Sequence, residues 1–226
     1  MSESLLPCVE VNPAGTPDAA VIWMHGLGAD GHDFESLVPE LDLPSDHCIR
    51  FVFPHAPVRP VTVNGGMPMR AWYDIYAMDI NREVDEDAFE ESATQISALI
   101  RAEMERGIPS TRIVLAGFSQ GGAIAFHAGL AFSEPLAGIL ALSTYLGIPA
   151  QAAEGHASNR AIPIFMAHGT ADPVVPLSLA QRGRAALEDN GYAIGWHTYP
   201  GMQHALCLEE IEAISEWLQA RLSLGV

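Results

Sequence analysis

The chain has 226 residues, 49% of them hydrophobic, and a formal charge of −17 at pH 7. That length and apolar content suit a single folded domain over residues 1–226 and exclude a disordered chain. The negative charge excludes nucleic-acid backbones and anionic membrane surfaces as partners, and the absence of lysine excludes Schiff-base, pyridoxal-phosphate and P-loop chemistry.

Met1 to Gly15 carries acidic residues and prolines where a secretory signal needs a basic start and an apolar core. Cys8, Cys48 and Cys207 are scattered, odd in number and without metal-ligand spacing, so a reduced compartment, the cytoplasm, is expected. A first strand is predicted at Ala20–Met24, followed by a glycine-rich loop and a helix over Asp33–Leu41. A strand at Ile49–Phe53 leads into Pro54–Met78, a stretch rich in proline, glycine and methionine that is too long for an idle connection. The acidic run Asp79–Glu91 reads as a solvated helix start in preference to a metal site. The helix it opens, Asp87–Arg106, puts Phe89, Ile96, Leu99, Ile100 and Met104 on one side and stops at Gly107 before Pro109. Strands follow at Arg112–Ala116, Ala137–Leu142, Ile162–Ala167 and Ala193–Tyr199, alternating with helices at Gln120–Phe132, Ser178–Asn190 and Glu209–Leu222. The last helix spaces Ile211, Ile214, Trp217, Leu218 and Leu222 to face a core.

Most of these strands are continuously apolar, as expected of strands buried on both faces. The class is therefore α/β, a mostly parallel central sheet with helices on both faces, whose active groups collect at the carboxyl ends of strands. Ile113–Pro149 is apolar enough to suggest a membrane span. It is interrupted at Ser119–Gly122, at His127 and at Ser133-Glu134-Pro135, leaving pieces too short for about 30 Å of hydrocarbon.

The segment Ile113 to Gly122 reads I-V-L-A-G-F-S-Q-G-G and places Ser119 inside G-x-S-x-G between a strand and a helix. A sharp strand-to-helix turn of this kind lifts a serine Oγ above the sheet edge and aims helix N–H groups at the reacting centre. Side chains at Gly117 and Gly121 would crowd that turn. A serine nucleophile also needs a base, and the base an orienting group. In the chain order serine, acid, histidine, the sequence offers Asp172 in the turn after Ile162–Ala167 and His204 in the loop after Ala193–Tyr199. Each has a plainer reading: Asp172 as an Asx-turn or cap residue, His204 as a surface histidine. His25, His32, His168 and His197 compete for the role of base; His168 precedes Asp172, and His197 falls inside a strand.

An oxyanion site needs two backbone donors. The Gln120 N–H follows the nucleophile, and the loop His25-Gly26-Leu27-Gly28 can turn the Leu27 N–H to the same place. An ordinary glycine turn is the plainer reading of that loop. His25 and His32 resemble a metal pair, but no later pattern completes a site.

His25–Phe34, Phe53-Pro54-His55-Ala56-Pro57, Arg70-Ala71-Trp72-Tyr73-Asp74, Gly117–Gly122, Leu142-Ser143, His168–Asp172 and His204 together resemble the small carboxylesterases related to acyl-protein thioesterase and lysophospholipase. The likeness runs from about residue 20 to the C-terminus. It implies an α/β-hydrolase fold without a large lid domain, and a serine carboxylesterase acting on short- to medium-chain acyl esters through an acyl-serine. Thioesterase or lysophospholipase activity is the alternative. Small-molecule acyl esters, lipids or thioesters are the partners it implies, with no metal or cofactor; the oligomeric state stays open, a homodimer included. It carries the triad to Ser119, Asp172 and His204 and the oxyanion donors to Leu27 and Gln120. Leu27, Met67, Met69 and Trp72 are candidate acyl-pocket residues, although Trp72 and the methionines equally suit a cover for the sheet edge. Some relatives carry a lipidated cysteine at position 2; here position 2 is serine, so stable anchoring by that route is not expected.

Overall fold

A computed structural model describes residues 5–77, 84–148 and 155–224. Met78, Ser2 and residues 79–83 of the acidic run lie outside the described residues. The strands are β1 (Cys8–Val11), β2 (Ala19–Met24), β3 (Ile49–Pro54), β4 (Val58–Val61), β5 (Met67–Arg70), β6 (Ile113–Phe118), β7 (Gly138–Leu142), β8 (Ile164–Gly169) and β9 (Ile194–Tyr199). The α-helices among the described residues are α1 (Glu86–Glu105), α2 (Gln120–Ala131), α3 (Leu177–Asp189) and α4 (Leu208–Leu222).

Seven strands form one sheet in the order β1-β3-β2-β6-β7-β8-β9. Every neighbouring pair is parallel except β1 on β3. β2, β3, β6, β7 and β8 are buried nearly throughout, whereas β9 alternates between covered and open positions, as an edge strand does. Apolar side chains of α1, α2 and α3 pack on one face of the sheet. The other face is covered by α4 and by the segment carrying Phe34 and Leu41. Each fully buried Leu, Ile or Phe in these layers contributes about 1.5–3 kcal/mol over its exposed state.

Local chemistry explains the helix ends. The Asp85 carboxylate accepts the Ala88 N–H at 3.1 Å to cap α1, and Gly107 leaves the helix with φ +100°. α2 is buried on every side, which its run of small residues permits. A Cβ on Gly129 would come within 2.8 Å of Ile139, so glycine lets the helix lie close to β7.

Three elements differ from the sequence expectation. The helix predicted over Asp33–Leu41 is a 3-10 helix at Glu35–Glu40; Pro39 inside it has no N–H to give an α-helical ladder. Pro54–Met78 contains a hairpin, β4 paired antiparallel with β5, turning through Thr62–Asn64 and through Gly65 and Gly66 at positive φ. Its Pro60 and Pro68 face each other in register, which is tolerated because this two-stranded ribbon stands apart from the main sheet. Finally, the short edge strand β1 adds to β3 without any strong apolar signal of its own.

Candidate active site

Ser119 stands at the junction of β6 and α2 with φ 54° and ψ −118°, a conformation a non-glycine residue adopts only when its surroundings impose it. Those surroundings are on both sides of the turn. A Cβ on Gly117 would fall 2.3 Å from the Gly121 carbonyl, and one on Gly121 would fall 2.4 Å from the Met24 carbonyl oxygen at the end of β2. Both glycines are therefore required for space. The Ser119 N–H donates to Leu142 O at 2.9 Å, and the Ser119 carbonyl accepts from the Gly122 N–H and the Thr144 hydroxyl. The elbow is thereby tied to the end of β7.

Asp172 lies in the turn after β8, and its side chain is wholly buried. Its Oδ1 accepts the Val174 and Val175 N–H groups at 2.8 Å each, and its Oδ2 accepts His204 Nδ1–H at 2.7 Å. The Asx-turn reading and the orienting reading thus describe one carboxylate using its two oxygens differently. Burial alone would raise this carboxyl, but the His204 hydrogen bond and the two backbone N–H donors outweigh it and hold the group below its ordinary value. With Nδ1 donating, the neutral His204 ring has a bare Nε2. The His204 ring packs 4.7 Å between centroids from Phe118, the residue before Ser119.

The two loops that bring Asp172 and His204 together are joined through backbone. Thr170 N–H donates to Tyr199 O at 3.0 Å, Ala171 N–H to Met202 O at 3.0 Å, and Gly201 N–H to Thr170 Oγ1 at 2.9 Å. A Cβ on Gly169 would lie 2.2 Å from Met202 O, so the loops touch where glycine leaves room.

Leu27 follows the buried His25 and Gly26 after β2. His25 Nδ1–H donates to Gly26 O at 2.7 Å and His25 Nε2 accepts the Ala56 N–H at 3.1 Å, fixing its tautomer. Burial pushes His25 down to about 4, so it is a neutral brace beside the loop. The Gly28 N–H, at φ +81°, donates to Arg70 O at 2.9 Å, which ties the loop to β5. Among the described residues, no protein acceptor takes the Leu27 or the Gln120 N–H. His32 is exposed on Glu35, and His197 stacks on Phe165; neither approaches Asp172.

Trp72 is fully buried. Its Nε1–H donates to His25 O at 2.9 Å, and its backbone N–H donates to the Gln120 side-chain oxygen at 2.8 Å. No surface of Trp72 is left to line a pocket; it supports the loop from beneath. Met67 is 61% exposed on the hairpin, while the Met69 sulfur faces Gly28 at the loop itself. The sequence had not pointed to the Gln120 side chain, whose Nε2–H also donates to Tyr73 O at 2.7 Å. No local signal announces it, because its partners lie 47 and 48 residues away. Among the described residues, no group of three metal-binding side chains gathers at this site or elsewhere.

A family model described as phospholipase/carboxylesterase matches residues 7–222. Acyl-protein thioesterase 1 of Neurospora crassa is 44% identical over 218 residues, covering 90% of this chain and 87% of that protein. Its namesake from Mycosarcoma maydis is 39% identical over 233 residues, covering 96% and 97% of the two chains. The crystal structure of Zea mays acyl-protein thioesterase 2 superposes with a TM-score of 0.84 at 28% identity, covering 96% of this chain and 99% of that one.

Proposed function

The chain belongs to the phospholipase/carboxylesterase family of hydrolases, and we propose that it cleaves acyl thioesters, and acyl oxyesters with them, through an acyl-serine. The observation that carries this reading is the His204–Asp172 pair, 2.7 Å apart, on loops beside a strained serine elbow. Similarity to two acyl-protein thioesterases favours the thioester over the simple carboxylic ester that the family resemblance implied.

In this mechanism Ser119 Oγ attacks the acyl carbon as its proton passes to His204 Nε2. The carbonyl π pair moves onto oxygen, where the Leu27 and Gln120 N–H groups receive the charge; each such donor is worth roughly a hundredfold or more in kcat. Collapse of the tetrahedral species expels the thiolate or alkoxide, which takes the proton back from His204. Water then repeats the sequence and frees the acid and Ser119. Asp172 holds the imidazole in the working tautomer and balances the imidazolium. Thiolates leave more readily than alkoxides because thiols are much stronger acids, with a reference pKa near about 8.5. Leu27 and Met69 are proposed to border the acyl group, with Met67 at the solvent rim.

Ser119→Ala is expected to abolish hydrolysis of p-nitrophenyl esters and labelling by a fluorophosphonate; a fully active variant would remove Ser119 from the chemistry. A panel of acetate to laurate esters, a palmitoyl thioester and a lysophospholipid decides the leaving group. We expect kcat/KM to be highest on the thioester, and a clear preference for the matched oxyester returns the protein to the carboxylesterase reading.

A further inference from the structure

His168 is the penultimate residue of β8, four residues before Asp172, and is fully buried. Its Nε2 lies 2.8 Å from Val175 O, an atom that can only accept, so Nε2 carries the proton. Val175 is used at both ends: its N–H holds Asp172 Oδ1, and its carbonyl is held by His168. The same Nε2 stands 3.6 Å from Asp172 Oδ2, the oxygen that receives His204. That separation is too long for a hydrogen bond, but it sets the imidazole edge beside the carboxylate. The residue excluded as a base by chain order thus closes a ring around the orienting acid.

A second buried group meets the other side of the imidazole's strand. Ser143 follows β7 at φ +45°, a strained conformation for a non-glycine residue, and its N–H donates to Ala167 O at 2.8 Å, one residue before His168. Among the described residues, neither the buried Ser143 hydroxyl nor the buried His168 Nδ1 has a hydrogen-bond partner. In the neutral Nε2–H tautomer Nδ1 is a bare acceptor, and among the described residues no donor reaches it.

We propose that His168 is a positioning residue of the reaction: it clamps the Asp172–Val175 turn so that Oδ2 stays on His204 Nδ1. This rests on the assignment of Asp172 as the orienting acid. Asp172 and His204 are the ionisable groups acting on His168, and burial, the largest influence, pushes it down and keeps it neutral. No proton is transferred to or from His168 during turnover; its contribution is the geometry of the carboxylate.

Three measurements on the full-length protein test this. In 15N-histidine spectra of the unaltered chain, His168 should be the neutral Nε2–H form at neutral pH and above. A cationic or Nδ1-protonated His168 there overturns the clamp. His168→Phe should lower kcat on the order of tenfold, well short of the ~10⁴-fold that follows loss of the correct tautomer. Its KM should hold, its acid limb of kcat/KM should move to lower pH, and the downfield proton of the His204–Asp172 bond should be lost. His168→Gln, which offers an N–H near the same place, should restore the acid limb. A folded His168→Phe with the original acid limb and downfield proton overturns the clamp. If that variant does not fold, the tautomer measurement on the unaltered chain still decides. A fully active Ser119→Ala would sink the proposed function itself; an inactive Ser119→Ala beside an unaffected His168→Phe sinks only this inference.

Discussion

Gln120 shows how one residue serves two purposes beside Ser119, the proposed nucleophile. Its backbone N–H is a proposed oxyanion donor, while its side-chain amide is used up elsewhere, accepting from Trp72 N–H and donating to Tyr73 O. A buried polar group left unpaired costs about 1–3 kcal/mol. Gln120→Ala keeps the backbone donor and unpairs both Trp72 and Tyr73, so it should cost roughly 2–4 kcal/mol of stability. The accompanying loss in kcat should stay near tenfold, because Trp72 braces the His25 carbonyl only indirectly. Thermal unfolding and steady-state kinetics on one preparation check this. A loss of a thousandfold at unchanged stability would instead mean that the amide itself takes part in the chemistry.

At the scale of elements, the loop bearing His204 runs from Tyr199 at the end of β9 to the first turn of α4, and a buried acid stands at its far end. Glu210 is fully buried, and among the described residues neither of its carboxyl oxygens nor the Tyr199 hydroxyl has a hydrogen-bond partner. Burial pushes Glu210 up to about 8, and the nearby Cys207 backbone, too poorly placed for a true hydrogen bond, offsets that only in part. The folded protein thus keeps this proton while the unfolded chain releases it above its ordinary value of 4.5, so stability is lost as pH rises from there to about 8. Glu210→Gln should raise the melting temperature at pH 8 by several degrees and leave it unchanged at pH 4. A uniform gain at both values would trace the effect to packing instead of ionisation. Most of this architecture is legible in the sequence because it depends on local pattern. The apolar runs place Ser119, Asp172 and His204 at strand ends, and the stops at Gly107 and Pro109 bound α1. The hairpin β4–β5 is not legible, since Pro60 and Pro68 argue against strands and only their pairing makes them one. Nor are the Gln120 clamp and the His168–Val175 contact, because each depends on tertiary placement or on which ring nitrogen carries a proton.

For the whole molecule, the buried titrating groups set opposing slopes of stability with pH. His25 is pushed down to about 4 by burial, so stability is lost as pH falls below its ordinary 6.5 and the unfolded chain takes up a proton the folded chain refuses. Asp172, held below its ordinary 3.8, adds a further loss at still lower pH. Glu210 acts from the alkaline side. The losses overlap between 4.5, where that of Glu210 begins, and 6.5, where that of His25 begins. A melting temperature scanned from pH 3 to about pH 9 should therefore peak on the acid side of neutrality, and a peak at or above pH 8 would contradict these assignments. Activity and stability then favour different conditions, since a histidine base works best deprotonated.

The joining of the Asp172 and His204 loops has a historical consequence. Their mutual contacts run through main-chain atoms of Thr170, Ala171, Tyr199, Met202 and Gly201, together with the Thr170 hydroxyl and the space left by Gly169. Most side chains of the loop, Met202, Gln203 and Ala205 among them, take no part in that fastening. A lineage descending from this chain could rewrite those positions to suit a new acyl donor while inheriting the catalytic geometry intact.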